Sequence, residues 1–227
     1  MPYQLLLADA DGTLFDFHRG ERCAISHVFA CFGIEATEEH MRLYHQINDG
    51  HWKRLERGET TQERLRVERF ADFIAQIHTT ADAQAMSRCF MEKLGQQRFL
   101  LPGAKAFCEQ ISAVMPIVLV TNGIAQVQRG RFTQCELSPY LSGMVISEEI
   151  GHPKPHPAMV EKAMELQGMT DKRAVVLLGD SITADIAAAN NAGVDSILFT
   201  NGAAVQAGHG ATYAAQTLEA AAGYVLR

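Results

Sequence analysis

The chain has 227 residues, of which 47% are hydrophobic and 20% charged, and its formal net charge is −6. A chain of this length and composition can bury a large core and fits either one domain with an insertion or two small domains. The acidic balance argues against a protein that holds a nucleic acid polymer through phosphate contacts, although it leaves room for a small anionic substrate.

The cysteines and the apolar segments indicate the compartment. Five cysteines are an odd number and form no C-x-x-C pair, so we expect neither a disulfide framework nor a zinc ribbon. The first apolar run is interrupted by Asp9 and Asp11 too early for the core of a signal peptide, and no apolar stretch approaches transmembrane length. We therefore expect a soluble cytoplasmic protein that has no membrane partner.

The first predicted element is a short buried strand, Leu5-Leu6-Leu7-Ala8, which is followed at once by Asp9 and Asp11. Carboxylates at positions i and i+2 of an extended chain point to the same side, so the two negative charges share one small pocket. Such a pair usually requires a metal ion or a shared proton. From these residues alone, a plain strand followed by an Asp-Gly turn is an equally good interpretation.

Residues 16–97 follow as successive helices with few strand signals. Apolar residues recur at helical spacing over residues 21–32, and the pattern continues over residues 42–57 and 62–77, with Gly58 as a stop between the last two. We interpret this block as a helical insertion after the first strand.

The remaining chain alternates between short apolar runs and helical stretches. The runs cover residues 117–120, 144–146, 174–178 and 196–199, and the helical stretches cover residues 104–113, 158–167 and 184–192. This alternation predicts an α/β fold, a Rossmann-like parallel sheet covered on both faces. We therefore predict a core over residues 1–15 and 98–227, with a helical domain over residues 16–97 inserted after the first strand.

Ligands of open α/β sheets bind at the carboxyl ends of the strands, and four predicted strand ends carry polar residues. Besides Asp9 and Asp11, these are Thr121 with Asn122, Lys154, and Asp180 with Ser181 and Asp185. The carboxylates are hard oxygen ligands that suit Mg²⁺. The Thr121 hydroxyl, the backbone N–H groups of the Asn122 turn and a fixed Lys154 ammonium suit phosphate oxygens.

Each of these residues has a plain alternative when it is taken alone. Asp180 and Asp185 fit the start of a helix, Thr121 and Asn122 fit a strand-to-helix turn, and lone lysines are usually solvated. Whether His152, His156 or Trp52 contacts a substrate stays open. The chain has no zinc-protease spacing, nucleotide-binding glycine loop or serine elbow.

Taken in order, Asp9-x-Asp11-x-Thr13, Thr121, Lys154 and Gly179-Asp180-x-x-x-x-Asp185 resemble the four motifs of haloacid dehalogenase-like phosphatases. The helical insertion resembles the cap domain of that superfamily, and the rest of the chain its catalytic core. A second set resembles the YjjG-type pyrimidine 5'-nucleotidases, which remove phosphate from nucleoside monophosphates. Its members are Ile47-Asn48, Trp52, Gly58, Arg69-Phe70 and the stretch from Ile146 to Gly151.

The resemblance implies a two-step phosphomonoester hydrolysis. Asp9 is the nucleophile that forms an aspartyl-phosphate, and Asp11 is the general acid and then the general base. The resemblance also implies Mg²⁺ held by Asp9, the Asp11 carbonyl and Asp180, phosphoryl oxygens held by Thr121, Asn122 and Lys154, and support from Asp185 and Ser181. The cap excludes water and selects a nucleoside monophosphate.

Three other functions remain open. A sugar-phosphate phosphatase or phosphomutase shares all four motifs. A haloacid dehalogenase, or a regulatory protein on the same scaffold, fits less well because Asp11 and Thr13 form a phosphatase signature and none of the chemical residues is missing. We expect a monomer or a homodimer.

Overall fold

The computed structural model describes residues 3–205 and 207–227. The chain divides into two compact units. The sheet unit comprises Met1–Phe17, Phe99–Ala125 and Phe132–Arg227, and the helical unit comprises His18–Arg98 and Gln126–Arg131. The sequence-based division had left residues 126–131 in the core. Their place in the helical unit has a packing reason, because a Cβ atom at Gly130 would lie only 3.2 Å from the carbonyl oxygen of Gly95.

The sheet unit is built on one parallel sheet in the order β3-β2-β1-β4-β5-β6. Its strands are β1 (Leu5–Ala8), β2 (Ile117–Thr121), β3 (Gly143–Ile146), β4 (Val175–Gly179), β5 (Asp195–Phe199) and β6 (Tyr213–Ala215). Every pairing is parallel, which confirms the predicted α/β core. The sequence analysis did not anticipate β6, which has only three residues.

The strands are apolar on both sides because both faces of the sheet are covered. Leu6 and Ala8 of β1 belong to the apolar cluster on one face, whereas Leu5 and Leu7 belong to the cluster on the other. All four side chains are completely buried. This two-sided burial explains why β1 appears in the sequence as an uninterrupted apolar run.

The helical unit contains α1 (Phe17–Cys31), α2 (Glu38–Glu56), α3 (Gln62–Gln76) and α4 (Ala83–Gly95). Hydroxyl or carboxylate side chains begin the last three helices. Thr37 accepts from the N–H of His40 and Thr61 from that of Arg64, while Asp82 caps α4 in the same way. Aromatic side chains fill the space between the helices: Phe29, Tyr44, Phe70, Phe73 and Phe90.

The remaining helices come after the helical insertion in the chain. They are α5 (Ala104–Ser112), α6 (Ala125–Phe132), α7 (Ser147–Ile150), α8 (Ala158–Leu166), α9 (Ala187–Ala192) and α10 (Leu218–Val225). A π-helical turn, Ile182–Ile186, precedes α9, where the sequence pattern had predicted regular helix. Within the described residues, no helix has the length and apolar character needed to cross a membrane.

Candidate active site

The chain turns sharply where β1 ends. The N–H of Asp9 still donates to Leu178 on β4, at 2.9 Å, and the carbonyl of Ala10 then accepts from both Leu14 and Phe15. Gly12 has a φ of +88°, and a Cβ atom on it would lie 2.5 Å from Oδ2 of Asp180. Glycine is therefore required here for two reasons, the left-handed backbone and the close approach to Asp180.

Lys154 is the centre of the buried polar cluster at this sheet edge. Its ammonium donates to Oδ1 of Asp9 at 2.5 Å, to Oδ1 of Asp185 at 2.6 Å and to the carbonyl of Val120 at 2.7 Å. Only 2% of the lysine is exposed. An ammonium has three protons to donate, so these three bonds use all of them. Lys154 is thus a fixed charge and not a solvated surface lysine.

Asn122 holds the backbone that presents this lysine. Its Oδ1 accepts from the N–H of Lys154 at 2.7 Å, and its Nδ2 donates to the carbonyl of Lys154 at 2.9 Å. The Asn122 amide therefore positions Lys154, a contact that the sequence analysis did not anticipate. A phosphate-binding role for Asn122 stays a prediction for its backbone N–H.

The turn after β4 places two further carboxylates. Oδ1 of Asp180 accepts from the Thr13 hydroxyl at 3.1 Å, and Oδ2 of Asp185 accepts from the N–H of Ser181 at 3.0 Å. The Ser181 hydroxyl in turn accepts from the N–H of Ala184. A Cβ atom on Gly179 would lie 2.3 Å from Cγ of Asp185, so the strand must end in glycine for Asp185 to fold back.

The charges in this cluster do not balance. Carboxylate oxygens of Asp9, Asp180 and Asp185 all lie within 4.8 Å of one another, around the single ammonium of Lys154. With every group ionised, three negative charges face one positive charge, which leaves an excess of two. Buried carboxylates in this arrangement repel one another, and a nearby cation relieves the repulsion.

The pKa values reflect this imbalance. Burial raises the pKa of Asp9 above its ordinary value, with Lys154 opposing the shift and the other two carboxylates adding to it. Desolvation of its carboxyl group and the charge of Asp185 raise the pKa of Asp180 to about 7, although the residue as a whole is exposed. Burial lowers the pKa of Lys154, but its two carboxylate partners outweigh that effect, so the ammonium keeps its proton.

The donor set fits a magnesium ion. Carboxylate oxygens are the hard ligands that Mg²⁺ prefers, and the two excess negative charges equal the charge of one such ion. Asp9 and Asp180 are the residues that could bind it directly. Asp185 already bonds Lys154 and the N–H of Ser181, so we regard it as a support for the ligands.

The other predicted site residues differ in burial and in contacts. Thr121 ends β2 and is buried, and its hydroxyl accepts from the N–H of Gly123 at 3.0 Å. Asp11 is half-buried in the turn after β1. His152 and His156 are exposed and stack on each other, with ring centroids 4.3 Å apart. Trp52 is half-buried on α2 of the helical unit.

Two residues of the site received no role in the sequence analysis. Thr13 was noticed only as part of a motif, yet its hydroxyl orients Asp180. Oε2 of Glu148 on α7 accepts from the N–H of Ala125 at 2.8 Å and so anchors the start of α6. The clustering of Ser147, Glu148 and Glu149 after a predicted strand is the signal that could have indicated such an anchor.

Comparison with known proteins places this arrangement among hydrolases. A family model described as haloacid dehalogenase-like hydrolase matches residues 3–193. The chain is 31% identical over 200 residues to the pyrimidine 5'-nucleotidase PynA of Streptococcus pneumoniae, covering 88% of this chain and 84% of PynA. It is 27% identical over 194 residues to the pyrimidine 5'-nucleotidase YjjG of Escherichia coli, covering 86% of this chain and 84% of YjjG.

A solved structure resembles the whole chain. It is the HAD-hydrolase YfnB of Bacillus subtilis, described as bound to magnesium and as revealing interdomain movement. The two structures superpose with a TM-score of 0.92 at 25% sequence identity, covering 99% of each chain.

Proposed function

Because this chain belongs to the haloacid dehalogenase-like hydrolases, we propose that it is a Mg²⁺-dependent phosphatase of pyrimidine nucleoside 5'-monophosphates. The observation that carries the proposal is the cluster of three carboxylates around one ammonium, in which Lys154 bonds the buried Asp9 and Asp185 and Asp180 lies beside them. A site with two excess negative charges repels a phosphate monoester unless a divalent cation is present. When bound, Mg²⁺ supplies that charge compensation and favours the ionised form of Asp9.

Asp9 is the group that we assign to the attack on phosphorus. Its carboxylate oxygen forms a bond to phosphorus as the bond from phosphorus to the leaving oxygen breaks, which gives an aspartyl-phosphate. Lys154 orients the Asp9 carboxylate through the 2.5 Å bond to Oδ1 and places a positive charge beside the transferred group. The burial of Lys154 fixes that charge before the substrate arrives.

Asp11 is the group that we assign to proton transfer. It gives its proton to the leaving oxygen in the first step and removes a proton from water in the second. The water oxygen then bonds to phosphorus, and the bond to Asp9 breaks, which releases inorganic phosphate and restores the enzyme. Thr121 and the backbone N–H groups that follow it are the donors that we propose for the phosphoryl oxygens.

The substrate class rests on the relatives. PynA and YjjG are both pyrimidine 5'-nucleotidases, and each alignment covers more than four-fifths of both chains. We assign substrate selection to the helical unit, as a cap. We also propose a cytoplasmic location, which suits five cysteines that are all free thiols.

A phosphate-release screen tests the proposal. Uridine, cytidine and thymidine 5'-monophosphates are compared with adenosine 5'-monophosphate, glucose 6-phosphate and p-nitrophenyl phosphate, each with MgCl₂ and with EDTA. We expect Mg²⁺-dependent release and a kcat/KM for the pyrimidine nucleotides at least about 10-fold above the others, the scale that one well-fitted pocket provides.

The other outcomes of the screen are equally informative. A preference for glucose 6-phosphate would support the sugar-phosphate alternative and remove the nucleotidase assignment. Turnover that is unchanged in EDTA would remove the metal requirement. Failure to hydrolyse even p-nitrophenyl phosphate would favour a non-catalytic protein.

A further inference from the structure

Three side chains with soft or borderline donor atoms meet on the surface of the helical unit. His27 and Cys31 are one turn apart on α1, and Cys89 lies on α4, with ligand atoms that are all within 4.8 Å of one another. Sγ of Cys31 is 3.6 Å from Nε2 of His27. His27 and Cys31 are exposed and Cys89 is half-buried, so an ion in solvent can reach them.

We propose that His27, Cys31 and Cys89 form a zinc site, with one imidazole nitrogen, two thiolates and a water molecule in the fourth position. Zinc binds cysteine sulfur at about 2.3 Å and histidine nitrogen at about 2.0 Å, so tetrahedral ligands stand roughly 3.5–3.8 Å apart. Nε2 of His27 and Sγ of Cys31, which are 3.6 Å apart, already lie within this range. Sγ of Cys89 lies within 4.8 Å of both ligand atoms, so it has to approach them by about 1 Å at most.

The chemistry of this cluster distinguishes it from the carboxylates around Lys154. Thiolates select zinc and other soft ions, whereas Mg²⁺ takes oxygen ligands. Two thiolates and one Zn²⁺ also form a neutral group, which suits a site on the surface of a small helical bundle. The ion would join α1 to α4, the first and last of the four consecutive helices in this unit, and would stabilise the unit by its binding energy.

A second cluster in the same unit is a weaker candidate. His18, Glu21 and His45 also have ligand atoms within 4.8 Å of one another. The Glu21 carboxylate, however, already accepts from His45 at 2.8 Å and from Asn48 at 2.7 Å. A metal ion there would have to displace hydrogen bonds inside the unit, whereas the site on α1 and α4 involves exposed groups.

Zinc titration of the full chain tests the proposal. The protein is reduced, stripped with EDTA, dialysed and held in excess Mg²⁺ to occupy oxygen sites, and Zn²⁺ is then titrated against a chromogenic chelator. We expect one tight Zn²⁺ per chain. Cys31→Ser and Cys89→Ser should each weaken binding by at least about 10-fold, and His27→Gln should weaken it as well.

Two matched variants serve as controls. Cys23→Ser removes another thiol of α1, and His45→Gln alters the competing cluster, so both should bind Zn²⁺ like the wild type. Zinc should also raise the unfolding temperature of the wild type and of both controls, but not that of Cys31→Ser or Cys89→Ser. The proposal is overturned if the reduced wild type takes up no Zn²⁺, if both serine variants bind it normally, or if only His45→Gln loses it.

Discussion

The sheet unit and the helical unit each bury a cluster of charged side chains, and the two clusters are built differently. In the helical unit, Arg69 donates to Oδ1 of Asn48 at 2.7 Å, and Nδ2 of Asn48 donates to Glu21 at 2.7 Å. One positive and one negative charge are thus joined through a neutral amide. In the sheet unit, Lys154 bonds Asp9 and Asp185 directly, and Asp180 lies beside them.

The difference lies in the charge balance. The charges of Arg69 and Glu21 balance each other, and the Arg69 guanidinium lies over the ring of Phe90 at 4.7 Å, so this cluster needs no additional cation. With every group ionised, the Lys154 cluster has two more negative than positive charges, which one divalent cation would balance. A buried polar cluster therefore indicates function when its charge is incomplete, and not merely because it is charged.

The largest expected effect comes from removing the proposed nucleophile, Asp9, from the Lys154 cluster. Asp9→Asn should lower phosphate release by at least about 1,000-fold, because an amide cannot form the acyl-phosphate bond. The fold should persist, since the side chain keeps its shape and one of the crowded negative charges is lost. Released phosphate and the unfolding temperature are the measurements. Asp49→Asn, an exposed change on α2, is the control, and near-normal turnover by Asp9→Asn would remove it as the nucleophile.

The next effect compares the two buried cations. Lys154→Met should lower the free energy of unfolding by about 3–5 kcal/mol, because it leaves the buried carboxylates of Asp9 and Asp185 without their partner. Arg69→Met should lower it by about 1–3 kcal/mol, because it leaves the buried Oδ1 of Asn48 without its donor. Mg²⁺ should recover part of the loss in Lys154→Met only, since only that cluster is suited to bind a cation. Urea unfolding with and without Mg²⁺ measures both effects. If Mg²⁺ restored the stability of both variants equally, the Lys154 cluster would not be the specific cation site.

A smaller effect comes from the glycine that faces Asp180. Gly12→Ala should cost about 1–2 kcal/mol of backbone strain at a φ of +88° and should also push Asp180 aside, which weakens activation by Mg²⁺. Gly33→Ala is the matched control, because Gly33 has a φ of +67° with open space around it. Both variants should unfold at lower temperature, but only Gly12→Ala should need more Mg²⁺ for half-maximal activity. A normal Mg²⁺ requirement in Gly12→Ala would contradict the inference that a side chain at position 12 displaces Asp180.

The smallest expected effect concerns His45, which bonds Glu21 at the edge of the Arg69 cluster. The hydrogen bond to Glu21, partly opposed by burial, raises the pKa of His45, and the charges of Glu21 and Asp49 add to the shift. A raised pKa contributes stability below the unfolded value of about 6.5, and that stability is lost as the pH rises through the folded value. The ring of His18, 5.1 Å away, is the other titratable group facing it.

His45→Gln should therefore be less stable than the wild type by about 0.5 kcal/mol at pH 5.5 and by less at pH 8.5, because the half-exposed pair is screened by solvent. Urea midpoints at the two pH values give the comparison. His152→Gln, which removes an exposed imidazole outside both clusters, controls for loss of a surface imidazole. A stability difference between the wild type and His45→Gln that is larger at pH 8.5 than at pH 5.5 would contradict the raised pKa of His45.

The parts of the fold that sequence analysis captured are those with a local signal. The apolar run of β1 and the alternation of strands and helices predict the parallel sheet, and parallel strands must bring their carboxyl ends to one edge. The short β6 escaped because Tyr213–Ala215 is a three-residue strand without a β-branched residue. The π-helical turn at Ile182–Ile186 escaped because its pattern is that of an ordinary helix.

The contacts inside the site also lack a local sequence signal, so they could not be predicted. Its residue types follow from the strand ends, but the bond from Thr13 to Asp180 joins positions 167 residues apart. The two hydrogen bonds between the Asn122 side chain and the main chain of Lys154 likewise depend on how two loops meet. The meeting of Cys31 with Cys89 has no sequence signature, since it arises from the packing of α1 against α4. Tertiary packing alone decides such pairings.

The central place of β1 has a consequence for how the protein fluctuates. Leu5–Ala8 pairs on both sides, with β2 and with β4, whereas β6 pairs only with β5. Amide hydrogens of β1 should therefore exchange with solvent only in the rarest openings, while those of the edge strand exchange during partial fraying. Asp9, the proposed nucleophile, directly follows the strand that we expect to open last, so its carboxylate should keep its orientation while the edge strand frays.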